Sequence, residues 1–339
     1  MDGRILLLCF MLMVRCNNAL NGPHRPRTLL ITGTTDGIGK HTAQKLASDG
    51  NALLIHGRKS PSDAIVQSLI RDLQTRGAAN VAYLQADLND LEQVHDLAKQ
   101  AIAQLQSWQS LDDPSLDVLI NNAGVFDPEP PYSRQGYDST MTINVLAPFV
   151  LTRKLLPSLV RGDNARIITT SSISQSRTLP DVDSLFAKRD SNGKYDTNPL
   201  PYSGHSFYSY SKLGDLLFTV QLAKLLSNHQ SKDKKDSNSP WLDNMHRIQC
   251  LTMDPGTVNT KMLLAGWGPC GIPVKSANNT YKLATGKEYA FGDRVKSGSY
   301  HFGGGPSNDS RDETKLNMFW SKLVECTGVS YDDLDHDCL

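Results

Sequence analysis

A chain of 339 residues is long enough for one large α/β domain or two small ones and can bury a sizeable core. Lys+Arg and Asp+Glu both total 35, so the formal net charge is zero, and 39% of the residues are hydrophobic. That balance supplies no electrostatic basis for binding nucleic acid and sets aside a chain too polar to fold.

At the N-terminus, Arg4 precedes an unbroken apolar run, residues 5–14. Ten residues rise about 15 Å as a helix, short of a bilayer core of about 30 Å. Residues 1–19 therefore read as a secretory signal peptide or a short N-terminal anchor. As a signal they place the chain in the endomembrane system or outside the cell, and uncleaved they tether it to a membrane. Beyond residue 19 stand Cys250, Cys270, Cys326 and Cys338, which allow three pairings and have no metal-ligand spacing.

From residue 26 to the end, short apolar runs alternate with amphipathic stretches. Strands are expected at 28–32, 51–56, 80–86, 116–121, 165–170 and 247–253, with a seventh around 300–302. Helices are expected at 37–48, 62–76, 91–107, 136–160 and 206–228. Strands apolar throughout are buried on both faces, as parallel strands between helix layers are. The expected fold class is α/β, a single doubly wound Rossmann-type domain over 26–339. Two polar insertions interrupt it, 174–204 and 231–244, the second reading as a solvated loop.

Residues 32–39, Thr-Gly-Thr-Thr-Asp-Gly-Ile-Gly, follow the first strand and open the first helix. Glycines there let the backbone approach a pyrophosphate, and the helix N-terminus offers free N–H groups. Gly33, Thr35, Gly37, Ile38 and Gly39 are the candidate phosphate cradle. The second strand ends in His56-Gly57-Arg58, with no carboxylate to accept from ribose hydroxyls. Arg58 can instead pair with a 2′-phosphate, so NADP(H) is favoured over NAD(H). Asp36 inside the glycine loop argues mildly the other way. Asp87 and Leu88 end the third strand, where adenine is expected. Asn122, Ala123 and Gly124 end the fourth, where small residues leave room for a cofactor.

Tyr208 and Lys212 lie four apart, on one face of a helix. Eleven tyrosines make about 0.6 such pairs expected by chance, so the spacing alone says little. Its position after a fifth strand ending in Thr169-Thr170-Ser171-Ser172 is more telling. Pro148 stands four residues after Asn144 in an expected helix, which deprives the Asn144 carbonyl of its helical N–H partner.

The glycine loop at 32–39, Ala86-Asp87-Leu88, Asn121-Asn122-Ala123-Gly124, Asn144, Ser172, Tyr208 with Lys212, and residues 255–260 occur in one order. Together they resemble the short-chain dehydrogenase/reductase family. The resemblance runs from about residue 27 to the C-terminus and implies a mainly seven-stranded parallel sheet. It implies Tyr208 as general acid/base, Lys212 as ribose ligand lowering the tyrosine pKa, Ser172 as holder of the substrate oxygen, and Asn144 as support for a proton relay. Tyr208, Lys212, Pro255, Gly256, Val258 and Thr260 would contact the cofactor. The stretches 144–152, 179–185 and 211–218 are similar to the retinol-dehydrogenase-like branch, which points to an apolar small-molecule alcohol or carbonyl. Such a family also implies a homodimer through the two long helices. Ser172 and Tyr208 are 36 positions apart, and the insertion at 174–204 is expected beside the substrate mouth. The alternative reading is a dinucleotide-binding scaffold without turnover.

Overall fold

The computed structural model describes residues 25–232, 242–286 and 296–331. The apolar run at 5–14, Cys338 and most of the second polar insertion lie outside the described residues. Seven strands form one parallel sheet: β1 (Thr28–Ile31), β2 (Ala52–Gly57), β3 (Asn80–Gln85), β4 (Val118–Asn121), β5 (Arg166–Thr170), β6 (Gln249–Met253) and β7 (Ser299–His301). Their spatial order is β3-β2-β1-β4-β5-β6-β7. The order reverses between β1 and β4, and in open α/β sheets the crevice at such a reversal, outside the carboxyl ends of the strands, is where ligands bind.

The helices are α1 (Gly37–Ser48), α2 (Ala64–Thr75), α3 (Leu91–Gln109), α4 (Ser139–Val160), α5 (Gly204–Lys232), α6 (Lys261–Gly266), α7 (Asn279–Thr285) and α8 (Glu313–Thr327). Aspartates start many of them. Asp36, Asp63, Asp90, Asp138 and Asp312 each accept a hydrogen bond from a first-turn N–H, satisfying donors that the helix itself cannot. The fourth helix starts at Ser139 rather than 136 because Asp138 caps it.

Two apolar cores sandwich the sheet. Leu29, Ile31, Leu53, Ile55, Val118 and Ile120 point toward α1, α2 and α7. Leu30, Leu54, Leu119 and Ile167 point toward α3, α4, α5 and α8. The odd–even split along β1 is the two-residue period of a strand covered on both faces.

Helix α4 is apolar and long enough to cross a membrane, yet 89% of its apolar window is buried inside the protein. It is a core helix. The chain's own C-terminal helix covers it: Trp320 on α8 and Tyr331 pack on Phe149 at ring separations of 5.1 and 4.9 Å. Trp320 also stacks on Phe218 of α5 at 6.1 Å. Helix α8 and the residues after it thus lie against both long helices, α4 and α5.

The insertion at 174–204 packs on the domain at both ends, Tyr202 donating to Asp127 beside Phe126. Its short helical turn Val182–Leu185 leads to Phe186, which packs on Phe319 of α8 at 5.9 Å. Arg189 sits 4.9 Å over the ring of Tyr132. Of this segment only Ser174 lines the main cleft.

Candidate active site

A cavity of about 580 Å³ opens at the carboxyl ends of the central strands. Gly33, Thr35, Gly37, Ile38, Gly39, Arg58, Asp87, Leu88, Asn122, Ala123, Gly124, Ser172, Tyr208, Lys212, Pro255, Gly256, Val258 and Thr260 all line it. Among the expected site residues only Asn144 stands behind the wall.

The glycine loop is tied down from two sides. The Thr32 hydroxyl accepts hydrogen bonds from the backbone N–H groups of Asn122 and Ala123, each at 3.0 Å. The Asn122 amide donates to the Thr32 carbonyl at 2.9 Å. The loop and the end of β4 therefore touch. A Cβ at Gly39 would lie 2.2 Å from the Gly33 carbonyl oxygen and 2.5 Å from Asn122 Nδ2. Gly33 has φ +71° and its Cβ position is 2.9 Å from Ala123 Cα. These backbones meet at a distance that only glycine allows. The bare cradle at the N-terminus of α1 fits a pyrophosphate, whose charge suits free N–H groups there.

His56 is a second tie, and one that sequence reasoning missed. It is buried at the end of β2, where its Nδ1 accepts from the Gly33 N–H at 3.2 Å. Nε2 must then carry the proton and donate to the Ala86 carbonyl at 3.1 Å. Burial pushes the His56 pKa down from 6.5 to about 4, against the opposing pull of the Ala86 carbonyl and Asp87. The unfolded chain takes up this proton below about pH 6.5, whereas the folded chain takes it up only near pH 4. Stability therefore falls as pH drops through that window, by up to about 3 kcal/mol from this group. Unfolding measured at pH 7 and pH 5 should show the loss in the wild type and a smaller one in His56→Gln. Equal losses in both proteins would show that His56 is not the group responsible.

The second half of the cavity holds the candidate chemistry. Tyr208 and Lys212 share one face of α5 and are 8% and 3% exposed. Lys212 Nζ lies 5.6 Å from the Tyr208 ring centroid. Ser172, just past β5, lines the same cavity as Tyr208 and acts to lower the tyrosine pKa. Burial pushes the Tyr208 pKa up, and Lys212 and Ser172 pull it back only in part. The lowering expected from the lysine is thus outweighed in the chain alone, because the ring is desolvated and Lys212 is itself paired. Lys212 donates to Asp215 Oδ2 at 2.8 Å and to the Thr170 carbonyl at 2.9 Å.

Asn144 sits in a π-helical turn, Thr142–Leu146, within α4. Such turns arise where the regular ladder is broken, here just before Pro148. Its side chain is fully engaged. Oδ1 accepts from Val125 N–H at 2.8 Å, and Nδ2 donates to the Val125 carbonyl at 3.0 Å and to Ser211 Oγ at 2.9 Å. The side chain clamps the segment after β4 to α5, and only the backbone carbonyl is left for any relay.

Aromatic rings cluster beside Tyr208, and one of them, Trp267, lines the cavity. Trp267, just after α6, lies 5.3 Å from the Tyr208 ring, and Phe126 lies 5.9 Å from it. Phe126, His205 and Trp267 lie 4.8 to 5.1 Å from one another. Ile173, Met262 and Leu263 add apolar surface. Neither Phe126 nor Trp267 carries a sequence signal. Trp267 falls in a turn-rich stretch without a recognisable pattern and joins the others only when the chain after β6 folds over the cleft.

The family model for the short chain dehydrogenases matches residues 27–182. The dehydrogenase/reductase SDR family member FEY of Arabidopsis thaliana is 33% identical over 59% of this chain and 50% of its own length. Human polyprenol dehydrogenase is 28% identical over 91% of this chain and 87% of its own. Human retinol dehydrogenase 12 is 32% identical over 59% and 57%. The chain thus spans about half the length of some of the curated relatives it matches and most of another. Among solved structures, a putative uncharacterized protein from Mycobacterium paratuberculosis aligns over 90% of this chain and 94% of its own. Its TM-score is 0.62 at 23% identity, a likeness of fold.

Proposed function

The chain belongs to the short-chain dehydrogenase/reductase family, in the part that resembles the retinol dehydrogenases, and from that premise we propose that it is an NAD(P)(H)-dependent oxidoreductase interconverting an alcohol and a carbonyl. One observation carries the reading: Ser172, Tyr208 and Lys212 meet in the same cavity as the glycine cradle. A bound nicotinamide dinucleotide supplies the hydride, or accepts it. The chain supplies the rest. The N–H groups at the start of α1 would hold the pyrophosphate, and Lys212 would bind the ribose. Tyr208 gives its hydroxyl proton to the carbonyl oxygen in reduction and takes it back in oxidation, as a positioned acid/base does. Ser172 donates to the same oxygen as charge develops on it. The raised Tyr208 pKa keeps the proton on the ring through the neutral range, which suits the donor role.

NADP(H) is the favoured dinucleotide. The Arg58 guanidinium is exposed at the cavity wall with no ion pair among the described residues. The opposing charge of Asp36 is offset, because Lys261 pairs with it at 2.7 Å. Arg58→Gln should lower the NADPH-to-NADH ratio of kcat/KM by about ten- to a hundredfold, the worth of one or two charge-assisted hydrogen bonds. A wild type that prefers NADH, or a ratio that does not move, would remove Arg58 from this role.

The aromatic and aliphatic wall around Tyr208 supports an apolar substrate, retinoid-, steroid- or lipid-like. Relatives named for polyprenol and retinol are consistent with it. Such a substrate suits an enzyme of the endomembrane system, with residues 1–19 as signal or anchor. N-terminal sequencing of the native protein reads out which. The test of function is the purified full chain, given NADPH or NADH with a panel of retinoids, ketones and long-chain aldehydes. Dinucleotide oxidation with an apolar carbonyl is expected, and binding of dinucleotide without turnover of any member would favour a scaffold.

A further inference from the structure

Asp215 lies on α5 three residues beyond Lys212, and its side chain is 2% exposed. The two side chains are in contact, Nζ to Oδ2 at 2.8 Å. A lysine ammonium has three N–H groups. One goes to Asp215 and one to the Thr170 carbonyl at the end of β5, so the direction of the third is set. Nζ also lies 3.5 Å from the Cβ position of Gly124, at the floor of the cavity. Burying an ammonium and a carboxylate is costly, and pairing offsets the cost only with good geometry. The other buried residues nearby on α5 are uncharged: Leu213, Leu216 and Leu217 are apolar, and Ser211 and Thr219 are neutral hydroxyls.

We propose that Asp215 is a positioning residue of the proton-transfer site: it holds the Lys212 ammonium charged and aimed at the cavity floor. The proposal rests on the reading of Tyr208 and Lys212 given above. Lys212 is 3% exposed, and burial disfavours the charged form of an isolated amine. The groups that face it are Asp215 and Tyr208, both from α5, together with the neutral Thr170 carbonyl from β5. Burial pulls the Lys212 pKa down and pushes that of Asp215 up to about 7, and the attraction between the two charges opposes both shifts. Without the carboxylate, burial wins. A neutral Lys212 no longer favours the Tyr208 phenolate, while the Asp215 charge by itself disfavours that phenolate, so the lysine proton is the quantity to follow.

The test follows the lysine proton directly, without substrate or dinucleotide. The full-length chain carrying isotopically labelled lysine is titrated by NMR, with the Lys212 signal identified by its loss in Lys212→Arg. In the wild type and in Asp215→Glu, which keeps the charge, Lys212 should remain an ammonium to at least about pH 10. In Asp215→Asn it should lose its proton at least about one pH unit lower. Should that variant not fold, Asp215→Ser carries the same expectation. A Lys212 that titrates alike with and without the carboxylate overturns the proposal. Turnover that survives Tyr208→Phe would instead overturn the reading of the site, whatever the titration shows.

Discussion

Tyr208→Phe should lower turnover by about two to four orders of magnitude, the usual worth of a positioned acid/base. The substitution removes one hydroxyl and leaves the ring, so the packing on Trp267 and Phe126 survives. Ser172 keeps the hydrogen bond that its hydroxyl accepts from the Ser174 N–H at 3.1 Å. Dinucleotide affinity and thermal stability should therefore stay close to those of the wild type. That combination, binding retained and chemistry lost, separates a role in proton transfer from a role in folding. Retained turnover would remove Tyr208 as the acid/base, and loss of both binding and stability would recast it as packing.

Gly39→Ala should be nearly as damaging, by a different route. The added methyl would meet the Gly33 carbonyl oxygen and the Asn122 amide. The carbonyl is backbone, and the Asn122 amide is already bonded to the Thr32 carbonyl. The loop must shift, at a cost of about 1–3 kcal/mol. If that cost falls on the bound state, dinucleotide affinity drops by about ten- to a hundredfold. Gly305→Ala is the control, since nothing lies within 4 Å of its Cβ position. Calorimetric titration with NADPH reads both, and equal affinities for the two variants would deny the glycine loop its place as the cradle.

Much of this fold is legible in the sequence, for a physical reason. A strand covered on both faces is apolar throughout, so β1, β2, β4 and β5 announce themselves as short runs such as Leu29-Leu30-Ile31. The glycine loop is legible because close backbone approach admits one residue type. Other features arise only from tertiary contact. His56 looks like an ordinary strand residue until β1 and β3 bring Gly33 and Ala86 to its two nitrogens. The cover that α8 lays over α4 depends on Trp320 and Tyr331 reaching Phe149, some 170 positions away along the chain. Asp215 is the intermediate case. Its spacing of three from Lys212 is visible in the sequence, but an exposed pair at that spacing would mean little. Burial is what gives it weight.

The central claim is that hydride moves between nicotinamide and a carbonyl carbon while Tyr208 handles the proton at oxygen. The most direct measurement follows the label. The full chain is incubated with an apolar aldehyde and NADPH deuterated at the transferable position, and the product alcohol is analysed by mass spectrometry and NMR. Deuterium on the carbinol carbon is the expected result, with the product absent or nearly so for Tyr208→Phe. Alcohol formed without the label, or with equal yield from the variant, would contradict the account.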